Sequence, residues 1–460
     1  MAASGWMEKT VRFREAILPN VSMTAMKSVV AAGLWALPAS GAQSRDLAEE
    51  IAAEVARDLA AGDFAAIMQM MNDDMACDLP APKLAETWAG IIKQVGPLRE
   101  AGSPWSIPES GYVVARAPLT FDRQILDLKV AVASGTIVGL YFSRHEEAVS
   151  SWRAPPYADP ASFREIEVSI GPKIASLPGT LTLPNGAEKS PAIILVHGSG
   201  PQDRDESVGP NRPFRDLAQG LATRGIAVLR YDKRTKVYPA SFAGLENPTV
   251  KQETLDDVAS AIELLRERPE IDSAGIIVVG HSLGGALAPR IAEANPSIAK
   301  LVILAGAARA LPDIIVEQTE YISSMQDPSR RVPAEALARL KDDAAKAKAA
   351  RLGDKGPDIL GAPPSYWADL NVYDPAASAA RLTLPLLVLQ GGRDYQVTAD
   401  DYTRFKQALA GRPNARCVWL PQLNHLFIAR EARSVPSEYQ IPGHVDAEVI
   451  DRIAKFAREP

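Results

Sequence analysis

Residues 275–288 read GIIVVGHSLGGALA. The unbroken apolar run Ile276–Val279 passes directly into Gly280-His281-Ser282-Leu283-Gly284, and then into a small-residue helix ending near Ala294. A run without alternation reads as a strand buried on both faces, as in a parallel sheet. The G-x-S-x-G spacing has a physical cause. A serine on a tight strand-to-helix turn adopts strained backbone angles, and glycines two residues to either side let the neighbouring chain approach without a Cβ clash. Gly285 and Ala286 continue that close packing. By composition the bare pattern turns up by chance in roughly one chain in six of this length. It is therefore the flanking strand and helix that make Ser282 the candidate nucleophile.

Outward from this stretch, runs of the same character occur at Ala192–Val196, Ile226–Tyr231, Leu301–Leu304 and Leu384–Leu389. Between them lie amphipathic helices. One carries Phe214, Leu217 and Leu221 on a single face, with Gly225 as its stop; another opens at Thr254 and aligns Leu255, Val258, Ile262 and Leu265. Strands alternating with helices predict an α/β fold with a mostly parallel sheet covered on both faces. From Gly306 to Leu382 the alternation fails and the chain is helical, charged and alanine-rich, so a helical cap insertion over about 307–382 is expected.

An acyl-transfer nucleophile needs a base, an acid to orient it and donors for the oxyanion. Ala192–Val196 ends in His197-Gly198-Ser199-Gly200-Pro201, a flexible turn at a strand's carboxyl end; Ser199 is the expected backbone donor there and Leu283 N–H the second. The strand LPLLVLQ runs into Gly391-Gly392-Arg393-Asp394, which makes Asp394 the expected acid. Asp400 and Asp401 fall in the next helix. After a last strand at Cys417–Leu420, Leu423-Asn424-His425 places His425 in a loop as the expected general base. Of the five histidines, His197 reads as structural, His281 is held beside the nucleophile, His145 lies near the end of the first domain, and His444 opens an expected terminal helix.

Over residues 163–460 these motifs resemble the α/β-hydrolase superfamily, with the nucleophile elbow on Ser282, the oxyanion turn on Ser199, the acid turn on Asp394 and the final histidine on His425. The chain is similar to bacterial esterases related to the acylaminoacyl-peptidase and dienelactone-hydrolase branches. The resemblance implies a serine carboxylesterase acting on small to medium esters without a cofactor. Thr235 departs from it, standing where glycine is usual in the arginine loop Asp232-Lys233-Arg234. Three rivals stay open. A thioesterase needs cations for the phosphates of coenzyme A, for which Arg204, Arg212, Lys233 and Arg234 are candidates. A peptidase of the acylaminoacyl type usually carries a propeller, for which the first domain is too short. A binding protein on a hydrolase scaffold would not need the triad.

The 460 residues are 47% hydrophobic and 23% charged, with a net charge of −6. No basic stripe points to nucleic acid, and no run of about 20 apolar residues suggests a membrane span. Cys77 and Cys417 are read as buried thiols; they form no Cys/His spacing for a metal, and no metal is expected. From Met26 the chain reads MKSVVAAGLWALPASGAQS, a lysine, an apolar run and small residues at a cut site, so residues 1–43 are expected to include a signal peptide. That predicts a periplasmic or secreted protein, otherwise a cytoplasmic one. Residues 44–147 read as a small α+β domain: helices over 45–95, where Leu47, Ile51, Val55 and Leu59 recur every fourth position, then strands from Tyr112 to Phe142. Met68, Met70, Met71 and Met75 are assigned to its core. A homodimer contact, a contribution to the cap and a partner site are all roles open to this domain. A Pro- and Ala-rich linker is expected at 148–162, and Asp203-Arg204-Asp205-Glu206 is read as a loop of surface ion pairs.

Overall fold

The computed structural model describes residues 43–109, 112–144, 152–186, 189–328 and 331–459. The chain divides into two units, Met1–Val149 and Ser150–Pro460. The signal-like segment after Met26 lies outside the described residues. No helix among the described residues is long and apolar enough to cross a membrane.

In the first unit, helices α1 (Gln43–Ala61), α2 (Phe64–Gln69), α3 (Asp73–Asp78) and α4 (Ala81–Val95) precede an antiparallel sheet. Its strands are β1 (Leu98–Ala101), β2 (Trp105–Glu109), β3 (Tyr112–Phe121), β4 (Ile125–Ala133) and β5 (Thr136–Arg144), ordered β1-β3-β4-β5 with β2 also on β3. Ile51, Val55 and Leu59 of α1 are buried with Leu84, Trp88, Leu128, Val130 and Ile137. Each such side chain contributes about 1.5–3 kcal/mol by leaving water. Leu47 departs from the expected stripe and is 42% exposed; Met71 and Met75 do lie in the core. Cys77 is exposed rather than buried, because it sits in the six-residue α3, too short to turn a full face inward.

The second unit contains an eight-stranded sheet, β13-β12-β11-β10-β8-β9-β7-β6. Its strands are β6 (Phe163–Ile170), β7 (Leu177–Pro184), β8 (Ser190–Val196), β9 (Ala227–Tyr231), β10 (Ile271–His281), β11 (Lys300–Leu304), β12 (Leu386–Gly391) and β13 (Ala415–Leu420). From β9 to β13 the pairings are parallel, while β6 and β7 form an antiparallel edge. Burial explains the missing alternation. In β8, Ala192, Ile194 and Val196 enter the core on one face, and Ile193 and Leu195 the core on the other. Helices α5 (Pro213–Thr223) and α15 (Ala447–Arg458) cover the second face; α8 (Asp256–Arg266), α9 (Leu283–Ala294) and α14 (Ala399–Ala408) cover the first. The short helices α6 (Arg234–Val237) and α7 (Pro239–Ala243) follow β9. Strands β6 and β7 escape an expectation built on unbroken apolar runs, since β6 exposes Arg164, Glu165 and Glu167 and β7 interleaves Thr180 and Thr182 with its leucines.

Between β11 and β12 come α10 (Leu311–Ser324), α11 (Ala334–Ala349), α12 (Pro364–Asn371) and α13 (Pro375–Arg381). Ala347, Ala350, Trp367 and Ala368 give α11 and α12 a small core of their own. Ala376 and Ala379 of α13 join the sheet core, and Leu311 of α10 and Tyr366 and Leu370 of α12 also pack against it. Residues 152–162, expected as a linker, are bonded into this unit: Trp152 Nε1 donates to Asp216 at 2.9 Å and the Tyr157 hydroxyl to Val445 O at 2.6 Å.

Candidate active site

Strand β8 has β9 on one side and β10 on the other, so the chain leaves β8 in one direction and resumes the sheet in the opposite one. The crevice beyond the carboxyl ends of such a strand pair is where open α/β sheets bind ligands. Ser282 stands there, one residue past β10, with φ 53° and ψ −117°. The elbow needs its glycines: a Cβ on Gly280 would collide with Gly284 O, and one on Gly284 with the carbonyls of Val196 and His197. Leu283 is the first residue of a twelve-residue helix, so its N–H has no acceptor within that helix and lies at the positive end of the helix dipole.

Two loops at the same sheet end join Asp394 and His425. His425 Nδ1 and Asp394 Oδ2 are 2.7 Å apart, and both residues are buried. Asp394 Oδ1 accepts from the backbone N–H groups of Gln396 at 2.8 Å and Val397 at 3.0 Å, and Oδ2 also accepts from Gln390 Nε2 at 3.2 Å. The histidine loop is pinned by Asn424, whose Oδ1 accepts from Leu426 N and Ile428 N while its Nδ2 donates to Glu438. Helix α10 packs on the acid turn, with Tyr321 stacked on Tyr395 at 5.0 Å and Gln318 Nε2 donating to Gln396 O at 3.0 Å. Among the described residues no hydrogen bond joins Ser282 Oγ to His425. The two are linked through His281, whose Nε2 lies 2.9 Å from His425 O and whose ring lies 4.7 Å from the His425 ring.

The turn after β8 lies against the serine. A Cβ on Gly198 would meet Ser282 Cβ at 3.1 Å and Oγ at 3.5 Å, so the peptides on either side of Gly198 flank the nucleophile. Ser199 is exposed, whereas Gly198 is buried. Gly198 N–H donates to Glu206 Oε1 at 2.7 Å, and Lys233 Nζ donates to Gly198 O at 2.9 Å. Glu206 is fully enclosed, with its Oε2 2.8 Å from His281 Nδ1. Burial opposes both charges, but the pairing outweighs it: the His281 pKa lies above its ordinary value and the Glu206 pKa below. Glu206 also has φ 50°, a conformation that costs on the order of 1–3 kcal/mol in a non-glycine residue.

The charged run at 203–206 is thus not a solvated surface loop. Arg204 pairs with Glu167 and Asp232, and Asp205 with the buried Arg230. The loop folds back onto β6 and β9, where Glu167, Arg230 and the following Asp232 supply its counter-charges, and Arg204 also donates to the Thr180 hydroxyl of β7. The cations weighed as a phosphate pocket are all engaged: Lys233 is ion-paired with Glu253 at 2.7 Å, Arg234 with Asp257, and Arg212 Nη1 donates to Gly209 O and Asn211 O. Nothing in the local sequence announces Glu206, Glu253, Asn424 or Glu438. The one available signal was the buried neighbourhood of the turns they support.

His197 and His444 are structural in geometry, and His145 lies outside the described residues. His197 is packed between Phe214 and Tyr231, and burial, with Lys233 nearby, pushes its pKa down to about 4. His444 Nδ1 lies 3.1 Å from Asp216 Oδ1, edge-on to Trp152, and stands ahead of the terminal helix, which begins at Ala447 after an Asp446 cap. Asp401 bonds Thr398 N, Ala308 N and Arg309, a capping role.

A mostly parallel sheet with a strained serine at its switch point is the architecture of an α/β hydrolase. The chain matches the Alpha/beta hydrolase family over residues 193–435 and belongs to it. Residues 52–140 match a second family, described as Protein of unknown function (DUF3887). The chain is 37% identical over 405 residues to Esterase EstD of Thermotoga maritima, an alignment spanning 86% of this chain and 92% of that protein. Solved structures that align with it include Est1E from Butyrivibrio proteoclasticus, at 18% identity and TM-score 0.40 over 63% of this chain and 96% of that one. The Pyrococcus horikoshii acylaminoacyl peptidase aligns at 17% identity and TM-score 0.46, over 80% of this chain and 57% of that one.

Proposed function

We propose that the protein is a serine carboxylesterase that hydrolyses esters of small to medium size through an acyl-enzyme on Ser282. The observation that carries this reading is the buried 2.7 Å contact between His425 Nδ1 and Asp394 Oδ2 at the sheet end that bears the strained Ser282. Kinship with Esterase EstD supports a carboxylic ester as the substrate class. With Nδ1–H donated to Asp394, the basic nitrogen of His425 is Nε2. As the Ser282 oxygen bonds to the ester carbon, its proton passes to Nε2 and the carbonyl electron pair moves onto oxygen. The N–H groups of Ser199 and Leu283 receive that oxyanion, each contributing on the order of 3 kcal/mol. Collapse expels the alcohol with the proton from His425. Water, activated by the same base, then releases the acid and restores the serine.

A thioesterase reading has no observation in its favour, because the four cations it needs are bonded within the fold. The signal-like residues after Met26 support a periplasmic or secreted location. A panel of p-nitrophenyl esters tests the central reading. Short-chain esters are expected to turn over, a fluorophosphonate to label Ser282, and Ser282→Ala to lose on the order of 10⁴–10⁶ in kcat with an unchanged far-UV spectrum. Turnover by that variant within about tenfold of the parent would remove Ser282 from the chemistry.

A further inference from the structure

A peptide unit is planar and trans, so its C=O and N–H point in opposite directions. The carbonyl of Gly198 and the N–H of Ser199 belong to one such unit. Whatever fixes that carbonyl therefore also aims that N–H. The group that fixes it is Lys233 Nζ, 2.9 Å from Gly198 O. Lys233 is only 2% exposed, and its own backbone N–H donates to Gln202 O at 3.0 Å, so the residue is tied twice to the same loop. Its counter-ion is Glu253, at 2.7 Å and likewise buried. The second oxygen of Glu253 accepts from the Tyr366 hydroxyl at 2.7 Å. Tyr366 lies on α12, in the insertion. Burial, with the Glu253 carboxylate beside it, holds the Tyr366 phenol well above its usual range, which keeps its proton available to donate.

We infer that Lys233 is a positioning residue for the oxyanion: held by Glu253 and Tyr366, it clamps Gly198 O and so aims and polarises the Ser199 N–H towards the carbonyl oxygen of the substrate. The inference rests on the oxyanion role of Ser199 proposed above. Two arguments favour it over a purely structural ion pair. First, a buried Lys–Glu pair is a poor source of stability, since desolvation consumes much of the attraction and an apolar filler of equal size commonly does as well. Second, a charged donor on one end of an amide strengthens the hydrogen bond given by its other end, which is the property an oxyanion donor needs. The neighbouring peptide is fixed separately, through Gly198 N–H on Glu206, so the turn is held at both amide planes and cannot rotate either one freely.

The test uses the full chain and three variants. Lys233→Met/Glu253→Gln removes the clamp without stranding a charge, and Tyr366→Phe loosens it by one hydrogen bond. The double variant is expected to lose on the order of a hundredfold in kcat with KM within about threefold, and to slow labelling by a fluorophosphonate in parallel. Tyr366→Phe should lose about three- to tenfold in kcat at constant KM. A merely structural pair would lower the melting temperature and leave kcat of the folded fraction, titrated by active-site labelling, unchanged; that result overturns the inference. Should the double variant fail to fold, an unchanged kcat in Tyr366→Phe overturns it equally. Ser282→Ala separates the two readings. If it is inactive while the clamp variants keep the parent kcat, the esterase assignment stands and the clamp does not; if it is active, both fail.

Discussion

The two sides of Ser282 are held by different forces. On the acid–base side, donors converge on one carboxylate: the His425 ring, the Gln390 amide and the backbone N–H groups of Gln396 and Val397 all meet Asp394. On the side of the turn proposed to receive the oxyanion, Gly198 is fixed by buried charged groups, Glu206, paired with His281, on its N–H and Lys233, paired with Glu253, on its C=O. Hydrogen bonds from neutral donors tolerate small movements of their partners. Buried charges do not, because the loss of one leaves the other unpaired in low dielectric. On the reading proposed above, the carboxylate of Asp394 can then follow its neutral donors during proton transfer, while the ion-held turn at Gly198 is fixed before substrate arrives, as electrostatic preorganisation requires.

The largest effect that could break this comparison lies on the acid–base side. His425→Ala and Asp394→Asn are each expected to lower kcat by on the order of 10⁴, while His444→Ala, whose partner is Asp216, keeps kcat within about twofold. A dead His444→Ala alongside an active His425→Ala would move the base to the other loop. Next comes Glu206→Gln, which keeps an acceptor for Gly198 N–H but removes the counter-charge of His281. Because His281 can then lose its proton, this substitution should cost about 1–3 kcal/mol of stability and lower kcat by roughly ten- to a hundredfold. If denaturant unfolding shows no loss, the ionic description of the oxyanion side is wrong.

The smallest effect concerns His197, the neutral exception on that side. Burial depresses its pKa to about 4, from an ordinary 6.5. The sign follows from linkage. The unfolded chain binds the proton more readily, so the stabilisation is complete above pH 6.5 and is lost as pH falls towards 4, about 3 kcal/mol over that window. In His197→Phe the fall in melting temperature between those two pH values should shrink accordingly; an unchanged slope would show that His197 is not buried as a neutral ring.

The same contrast explains what could be read from the chain. Ser282, Asp394 and His425 each follow an apolar strand run, and strand ends are visible in sequence, so their order and loop positions were legible. The doubly buried faces of β8, β10, β11 and β12 were legible for the same reason. Glu206 was not, because Asp203-Arg204-Asp205-Glu206 has the composition of a solvated loop, and only tertiary folding brings Arg230 and Asp232 against it. Lys233 and Glu253 are twenty positions apart with helices between, and no periodicity relates them. The edge strand β6 was passed over because an exposed, charged edge lacks the pattern of a buried strand, and β7 because Gly179, Thr180 and Thr182 interrupt its apolar run although it is buried.

The bonds of Trp152 and Tyr157 to the larger unit bear on how the protein can be divided. Asp216 is buried and is satisfied jointly by Trp152 Nε1, His444 Nδ1 and Val445 N. A shortened chain that begins at the first strand of the sheet, Phe163, would strip one of these donors from an enclosed carboxylate and uncover the face of α5 on which Tyr157 rests. The proper seam for cutting the two units apart therefore lies ahead of Trp152, and the prolines at 155 and 156 travel with the hydrolase rather than with the domain before it.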